Sequence, residues 1–233
     1  MKLQRFFGEF NFKNKEIETS DRELINQIKN VFRYQKGSEV LLLDNLGTEA
    51  LAEIRKIDSD KIVFEIKKVS ANENIPKNKV TLYCSLLKKE NFELVSQKVK
   101  EIGVEKITPL LSARTLKQNV SKQRIEKIIK EASEQSERGN IPALGEPTLF
   151  KEAVKNINKN DLNLFFDHSG QNIYEINNNE NKKINIFIGP EGGWEEYEIN
   201  SAKENCFIIT SLGKLNLRGE TAAIVVTYLA VNL

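Results

Sequence analysis

Hydrophobic positions along the chain change period twice. Leu24, Ile28 and Val31 recur at helical spacing behind Ser20 and Glu23, the two ends of a capping box, which predicts a short amphipathic helix. After Gly37 the apolar residues fall into short strand-like runs at 39–43, 49–57 and 61–69, separated by turn-forming residues at 44–47 and 58–60. This pattern predicts a β-meander closing into a small barrel. The stretch 70–79 is polar, contains Pro76 and has no period, so it reads as a linker. From Val80 onward, apolar runs at 80–87, 106–111, 162–167, 184–188 and 206–212 alternate with helical segments. In the helix over 91–102, Phe92, Val95, Val99 and Ile102 share one face, and Gly103 ends it. Ile125, Ile128, Ile129 and Ala132 mark another over 122–137. Alternation of this kind is the signature of an α/β domain with a mostly parallel sheet, whose ligands bind beyond the C-terminal ends of the strands. The expected division is therefore a small β-barrel domain over 1–70, a linker over 71–79 and an α/β domain over 80–233.

The final element, from Glu220 to the C-terminus, has almost no polar face. A helix that is apolar all round is buried on all sides. Its own core or a dimer interface would serve.

Composition changes this picture little. With 39% hydrophobic residues the chain can build a real core. No apolar run approaches the roughly 18 residues of a membrane span, and the opening MKLQRFFGEF has no signal-peptide pattern. The expectation is a mature cytoplasmic protein without membrane contact. One histidine and two separated cysteines make a metal site unexpected, and both Cys84 and Cys206 read as buried, reduced thiols. The net charge of +2 announces no nucleic acid. Residues 97–130, however, hold nine Lys/Arg against three Glu. Such a segment could meet RNA phosphate, or could simply be a solvated face.

Two loops carry the candidate chemistry. The first is GPEGG at 189–193, between the apolar run 184–188 and a helical stretch that begins near Trp194 with Glu195 and Glu196. Three glycines in five residues permit close approach of backbone to a ligand, and Gly192 is the expected contact point. The sequence is neither GxGxxG nor a P-loop. Acidic residues at the helix start would compete with a phosphate, so a neutral or cationic ligand fits better. The second loop, LGKLNLRGETA at 212–222, joins the run 206–212 to the final helix. Loops at the ends of successive strands can wall one pocket.

The pair GPEGGW and LGKLNLRGETA resembles the C-terminal motifs of the RsmE-type 16S ribosomal RNA uridine-N3 methyltransferases, of the SPOUT superfamily. Arg5-Phe6-Phe7, Val31-Phe32-Arg33 before Gly37, Lys100 to Val104 with Pro109 and Arg114, and Glu131 to Arg138 with Ile141-Pro142 resemble further family stretches in order and spacing. The resemblance covers nearly the whole chain. It departs at Leu215-Asn216, where the family usually has Arg then Ile, and at Asn26-Gln27, where the family often has histidine.

The resemblance implies a PUA-like β-barrel followed by a SPOUT domain with a trefoil knot, S-adenosylmethionine as cofactor, 16S ribosomal RNA or the small subunit as partner, and a homodimer through the C-terminal domain. It places cofactor contacts at Phe166, Gly189, Pro190, Glu191, Gly192, Gly193, Leu212, Gly213, Leu217, Arg218, Thr221 and Ala222. Arg5, Arg33, Arg114, Lys117 and Arg138 would meet RNA. Methyl transfer to N3 requires aim and loss of the N3 proton. Arg218 or Arg138 would stabilise the negative charge growing on the base, and Glu191 would accept a proton or hold its loop. His168 reads as a strand-end structural residue. Two alternatives stand beside this reading: another SPOUT methyltransferase with a tRNA or ribose 2′-hydroxyl target, and an RNA-binding ribosome assembly factor without catalysis.

Overall fold

The computed structural model describes residues 3–74, 76–115, 120–176 and 183–232. The chain divides into two compact units: Met1–Ile75 with Ser133–Ile141, and Pro76–Ala132 with Pro142–Leu233.

The first unit is a curled five-stranded half-barrel. Its strands are β1 (Arg5–Phe7), β2 (Glu16–Thr19), β3 (Glu39–Leu43), β4 (Thr48–Ile57) and β5 (Ile62–Ala71), in the order β1-β3-β4-β5-β2. The three long strands form the expected meander. In β4, Ala50, Ala52 and Ile54 are buried at every second position, which turns one face toward a core of Phe6, Leu24, Ile28, Leu42 and Phe64. Strand β5 runs through Ala71, and Ser70 pairs with Glu49, so the expected linker begins later than its composition suggested. On the solvent side Arg55 and Lys67 pair with Glu53 and Glu65, and the Lys67 and Arg55 hydrogen bonds hold the Glu65 carboxyl down to about 2.

Helix α1 (Arg22–Asn26) is capped by Asp21, not by Ser20. The Asp21 carboxylate accepts from the Glu23 N–H at 2.8 Å and the Leu24 N–H at 3.3 Å. A π-helical turn over Gln27–Val31 then adds a residue to the turn. Leu24 and Ile28 remain in the core, while Val31 is carried out to 63% exposure. Residues 133–141 join this unit although the chain places them far downstream. The Asn72 side chain donates to the Glu137 carbonyl at 3.1 Å, and Arg5 lies 3.4 Å from the Glu137 carboxylate.

The second unit is built on a seven-stranded sheet in which every pairing is parallel. It comprises β6 (Val80–Ser85), α2 (Lys89–Ile102), β7 (Lys106–Leu111), α3 (Lys122–Gln135, of which the residues up to Ala132 belong to this unit), β8 (Ala143–Leu144), β9 (Thr148–Leu149), α4 (Phe150–Asn156), β10 (Leu162–Asn172), β11 (Ile184–Ile188), α5 (Glu196–Glu204), β12 (Ile208–Ser211) and α6 (Gly219–Asn232). The strand order is β12-β10-β11-β6-β7-β8, with β9 also on β7. All five residues of β11 are buried, as befits a central strand covered on both faces. Helix α2 ends at Gly103, whose φ of 130° continues no helix. The aromatic centre of the core joins Phe165 to Trp194 at 4.5 Å and Phe187 to Phe207 at 4.8 Å.

Helix α6 packs on α2, β6 and β11 through Ala223, Val226, Ala230 and Val231. Its other side is not buried within the chain: Val225 is 38% and Tyr228 59% exposed. Cys84 is buried, and burial pushes its thiol up to about 12. Cys206, expected to be buried, is exposed, because it sits after α5 in a turn with φ of 65°. Among the described residues no helix is long and apolar enough to cross a membrane, and no cluster of His, Cys, Asp or Glu could hold a metal ion.

Candidate active site

A cavity of about 620 Å³ opens at the C-terminal ends of β10, β11 and β12, within the second unit. Its walls are the two loops singled out in the sequence. Every expected cofactor contact lines it except Thr221, which is exposed on α6 and turned away from the lining. The sheet order explains the convergence. Strand β11 lies between β10 and β6, so the loop after β11 starts centrally, and the loops after β10 and β12 rise beside it.

The first loop is held from several directions. The indole of Trp194 donates to the Phe166 carbonyl at 2.9 Å, which fastens the start of α5 to the end of β10. That ring lies across Gly189, where a Cβ would come within 2.9 Å of it, so no side chain fits. Glu191 Oε1 accepts the Lys88 N–H at 3.1 Å. Arg114 donates to the Gly192 carbonyl at 2.7 Å and to Glu195 Oε1 at 2.8 Å. At Gly192 itself an added Cβ would meet only the Arg114 side chain at 3.4 Å, an ordinary contact. Within the 189–193 loop the glycine that the protein's own atoms crowd is therefore Gly189. Glu195 and Glu198 form a capping box at the start of α5, and buried Glu198 also accepts the Ala113 N–H at 3.0 Å.

The end of β10 supplies a third piece that the motifs did not announce. Thr210 of β12 pairs with both Phe166 and Gln171, so residues 167–170 bulge out of the sheet. Gly170 closes this bulge: a Cβ there would stand 2.3 Å from the Thr210 backbone nitrogen. The bulge carries Asp167 and His168 into the cavity lining. His168 shares a 3.0 Å hydrogen bond with Asn216, the residue at which the second loop departs from the resembled family. The only histidine thus bridges two walls of the cavity. A bulge defined by pairing across 40 residues leaves no periodic signal in the sequence.

Of the expected catalytic residues, Arg218 is exposed at the cavity and Glu191 lines it while holding its loop. Arg138 is not in the lining. It is buried in the first unit, with Nη2 3.2 Å from Asn140 Oδ1. Of the expected RNA contacts, Arg33 is exposed, Arg5 is paired with Glu49 and Glu137, and Arg114 is committed to the glycine loop. Lys117 lies outside the described residues. Four cations of the basic segment 97–130 are paired with carboxylates: Lys98 with Glu101, Lys122 with Glu146, Arg124 with Glu93 and Arg114 with Glu195. Lys100 is fully buried.

Comparison with known proteins gives this arrangement its class. The RNA methyltransferase domain family matches residues 73–231, and the RNA methyltransferase PUA domain family matches residues 21–67. The chain belongs to the RNA methyltransferase family, in its RsmE-type branch with an α/β SPOUT domain and a PUA-like half-barrel. Ribosomal RNA small subunit methyltransferase E of Mesomycoplasma hyopneumoniae is 37% identical over 176 residues, covering 73% of this chain and 77% of that protein. The enzyme of the same name from Rickettsia conorii is 29% identical over 91% of this chain and 87% of its own length. The crystal structure of ribosomal RNA small subunit methyltransferase E from Neisseria gonorrhoeae, bound to S-adenosyl methionine, superposes with a TM-score of 0.91 at 25% identity. It covers 98% of this chain and 96% of that one.

Proposed function

We infer that this protein is an S-adenosylmethionine-dependent methyltransferase of 16S ribosomal RNA, and we propose that its target is N3 of one uridine presented by the assembled small subunit. The observation that carries the reading is the cavity at the strand ends, walled by GPEGG and by LGKLNLRGETA, in a chain of this family. The cavity suits the cofactor chemically. Backbone-rich loops of the 189–193 and 212–213 kind can hold an adenosine without a phosphate site. Asp167 and Glu191 in the lining favour a cation over an anion. Gly189 to Gly193, Leu212, Gly213, Leu217 and Ala222, with Phe166, would hold the cofactor, which supplies an electrophilic methyl group.

The chain's own residues then aim the base and manage charge. N3 lies on the Watson–Crick edge, so the uridine must come from a single-stranded or extruded nucleotide. Arg218, exposed at the cavity, stabilises negative charge on the pyrimidine oxygens as the N3 proton leaves. The half-barrel, over 1–70, grips RNA structure. The first 75 residues of the chain hold 13 Lys/Arg and 13 Asp/Glu, so the field there does not attract RNA indiscriminately, and a shaped particle is the better substrate. Arg33 meets RNA directly, whereas Arg5 and Arg138 shape the first unit.

The exposed side of α6, with Val225 and Tyr228, supports a homodimer through the C-terminal domain. A trefoil knot formed by the loops around the cavity and a cytoplasmic place of work complete the reading. The test is mass mapping of 16S ribosomal RNA from cells lacking the protein, followed by restoration in vitro. The expected result is loss of one N3-methyluridine, restored faster on assembled subunits than on protein-free RNA. A methyl group on a ribose oxygen, or efficient unselective methylation of short oligonucleotides, would overturn it.

A further inference from the structure

The cavity is lined by five charged or titratable side chains besides Glu220, and each has a visible task or the wrong polarity. Asp167 Oδ1 accepts the Ser169 N–H at 2.9 Å and its hydroxyl at 2.6 Å, which shapes the bulge. Glu191 holds its loop through Lys88 N–H, and His168 is engaged with Asn216. The Lys88 and Arg218 side chains are cations and can only donate. Glu220 differs. It stands in the first turn of α6, only 9% exposed, and lines the cavity. Its Oε2 is enclosed and no donor reaches it, and among the described residues no hydrogen bond or ion pair holds its carboxylate.

A buried carboxylate without a donor is costly, so its retention calls for a partner that arrives with the substrates. Beside it the backbone is closely packed: at neighbouring Gly219 a Cβ would press on Leu87 at 2.9 Å and reach the Gly189 carbonyl at 3.7 Å. The start of α6 is thus set against the end of the first loop, and Glu220 lines the cavity that the two loops wall.

We propose that Glu220 is the catalytic proton acceptor, taking the N3–H of the target uridine as the base is methylated. This rests on the N3 reading above. The N3–H bond breaks and the proton moves to a Glu220 oxygen. The electron pair left on N3 forms the new bond to carbon, and the carbon–sulfur pair returns to sulfur. The proton then passes from Glu220 to solvent. Because N3–H is a much weaker acid than a carboxylic acid, the proton moves as the new bond forms, not before.

The test is Glu220→Gln in the full-length protein, with Glu220→Asp beside it. The turnover number of the Gln variant should fall roughly 10²–10⁴-fold, the range of a lost general base. The acid limb of its pH–rate profile should disappear, and Glu220→Asp should restore part of the rate. Calorimetry with S-adenosylmethionine and with S-adenosylhomocysteine should show both affinities within about twofold of the parent protein. Thermal unfolding should be unchanged or higher, since a buried carboxyl without a partner is replaced by an uncharged amide of the same shape. Unaltered turnover and pH profile would overturn the proposal. So would a selective loss of affinity for the sulfonium form, which would make Glu220 a cofactor contact, or a lowered melting temperature together with proportionate losses throughout, which would make it structural. Absence of N3-methyluridine from the parent protein's own product would instead sink the N3 reading, whatever the variant does.

Discussion

The two walls of the cavity are built differently. The loop at 189–193 is braced by Trp194, by the Lys88 N–H and by Arg114, all of which come from other segments of the same unit. Along 212–218, the side-chain contact that reaches across to another wall is the exposed His168–Asn216 hydrogen bond. One wall is therefore preformed, and ligand binding to it costs little ordering. The other can adjust when the base arrives, and its contribution to binding includes the cost of being fixed. The difference is one of bracing: under the reading proposed above both walls meet the cofactor, and the less braced second wall, which carries Arg218, also faces the incoming base.

The largest effect that would break this comparison is expected from Gly189→Val. The added side chain must displace Trp194 from its place against Phe166. Overpacking of this kind costs about 1–3 kcal/mol, so calorimetry should show cofactor affinity falling roughly tenfold to a hundredfold. Unchanged affinity in a folded variant would mean the indole is no brace.

A smaller loss, about tenfold in cofactor affinity, is expected for Arg114→Ala, which removes a charge-assisted bond to the Gly192 carbonyl. Arg114→Lys should recover little of it, because one ammonium cannot reproduce the guanidinium's paired bonds to Gly192 and Glu195. If RNA affinity falls and cofactor affinity does not, Arg114 belongs to the RNA surface after all.

The smallest effect sharpens the contrast. Asn216→Ala should leave cofactor affinity untouched and raise the KM for small-subunit substrate about threefold, the worth of one exposed hydrogen bond. A cofactor defect from this substitution would show that the second wall is as preformed as the first.

Much of this molecule was legible before it was seen. The runs at 39–43, 106–111 and 184–188 match strands β3, β7 and β11, because a covered strand must be apolar at every position and a half-covered one at every second. Gly103 stops α2 as its type foretold. Local chemistry also placed the two loops at strand ends, where a parallel sheet gathers its ligands. Smaller errors came from rules that operate within one turn. Asp21 and Ser20 are both good caps, and which one serves depends on where the chain enters the helix. The π turn that expels Val31 has no periodic signature.

What tertiary structure alone decided lies in contacts between residues far apart in the chain. The resemblance grouped Arg138 and Arg218 as charge stabilisers, yet Arg138 is buried beside Asn140 in the first unit, whereas Arg218 lines the cavity of the second. The positive segment 97–130 owes its fate to acidic partners such as Glu93, Glu146 and Glu195, which no count within the segment includes. Residues 133–141 join the first unit through Asn72 and Arg5. Composition and period report which surfaces must be covered. They do not report which residue does the covering, because a side chain's partner is fixed by the packing of whole elements and not by its neighbours in sequence. Glu220 is the sharpest case: an ordinary first-turn glutamate in the sequence, it becomes an acceptor without a donor only once α6 is set against the loop from β11.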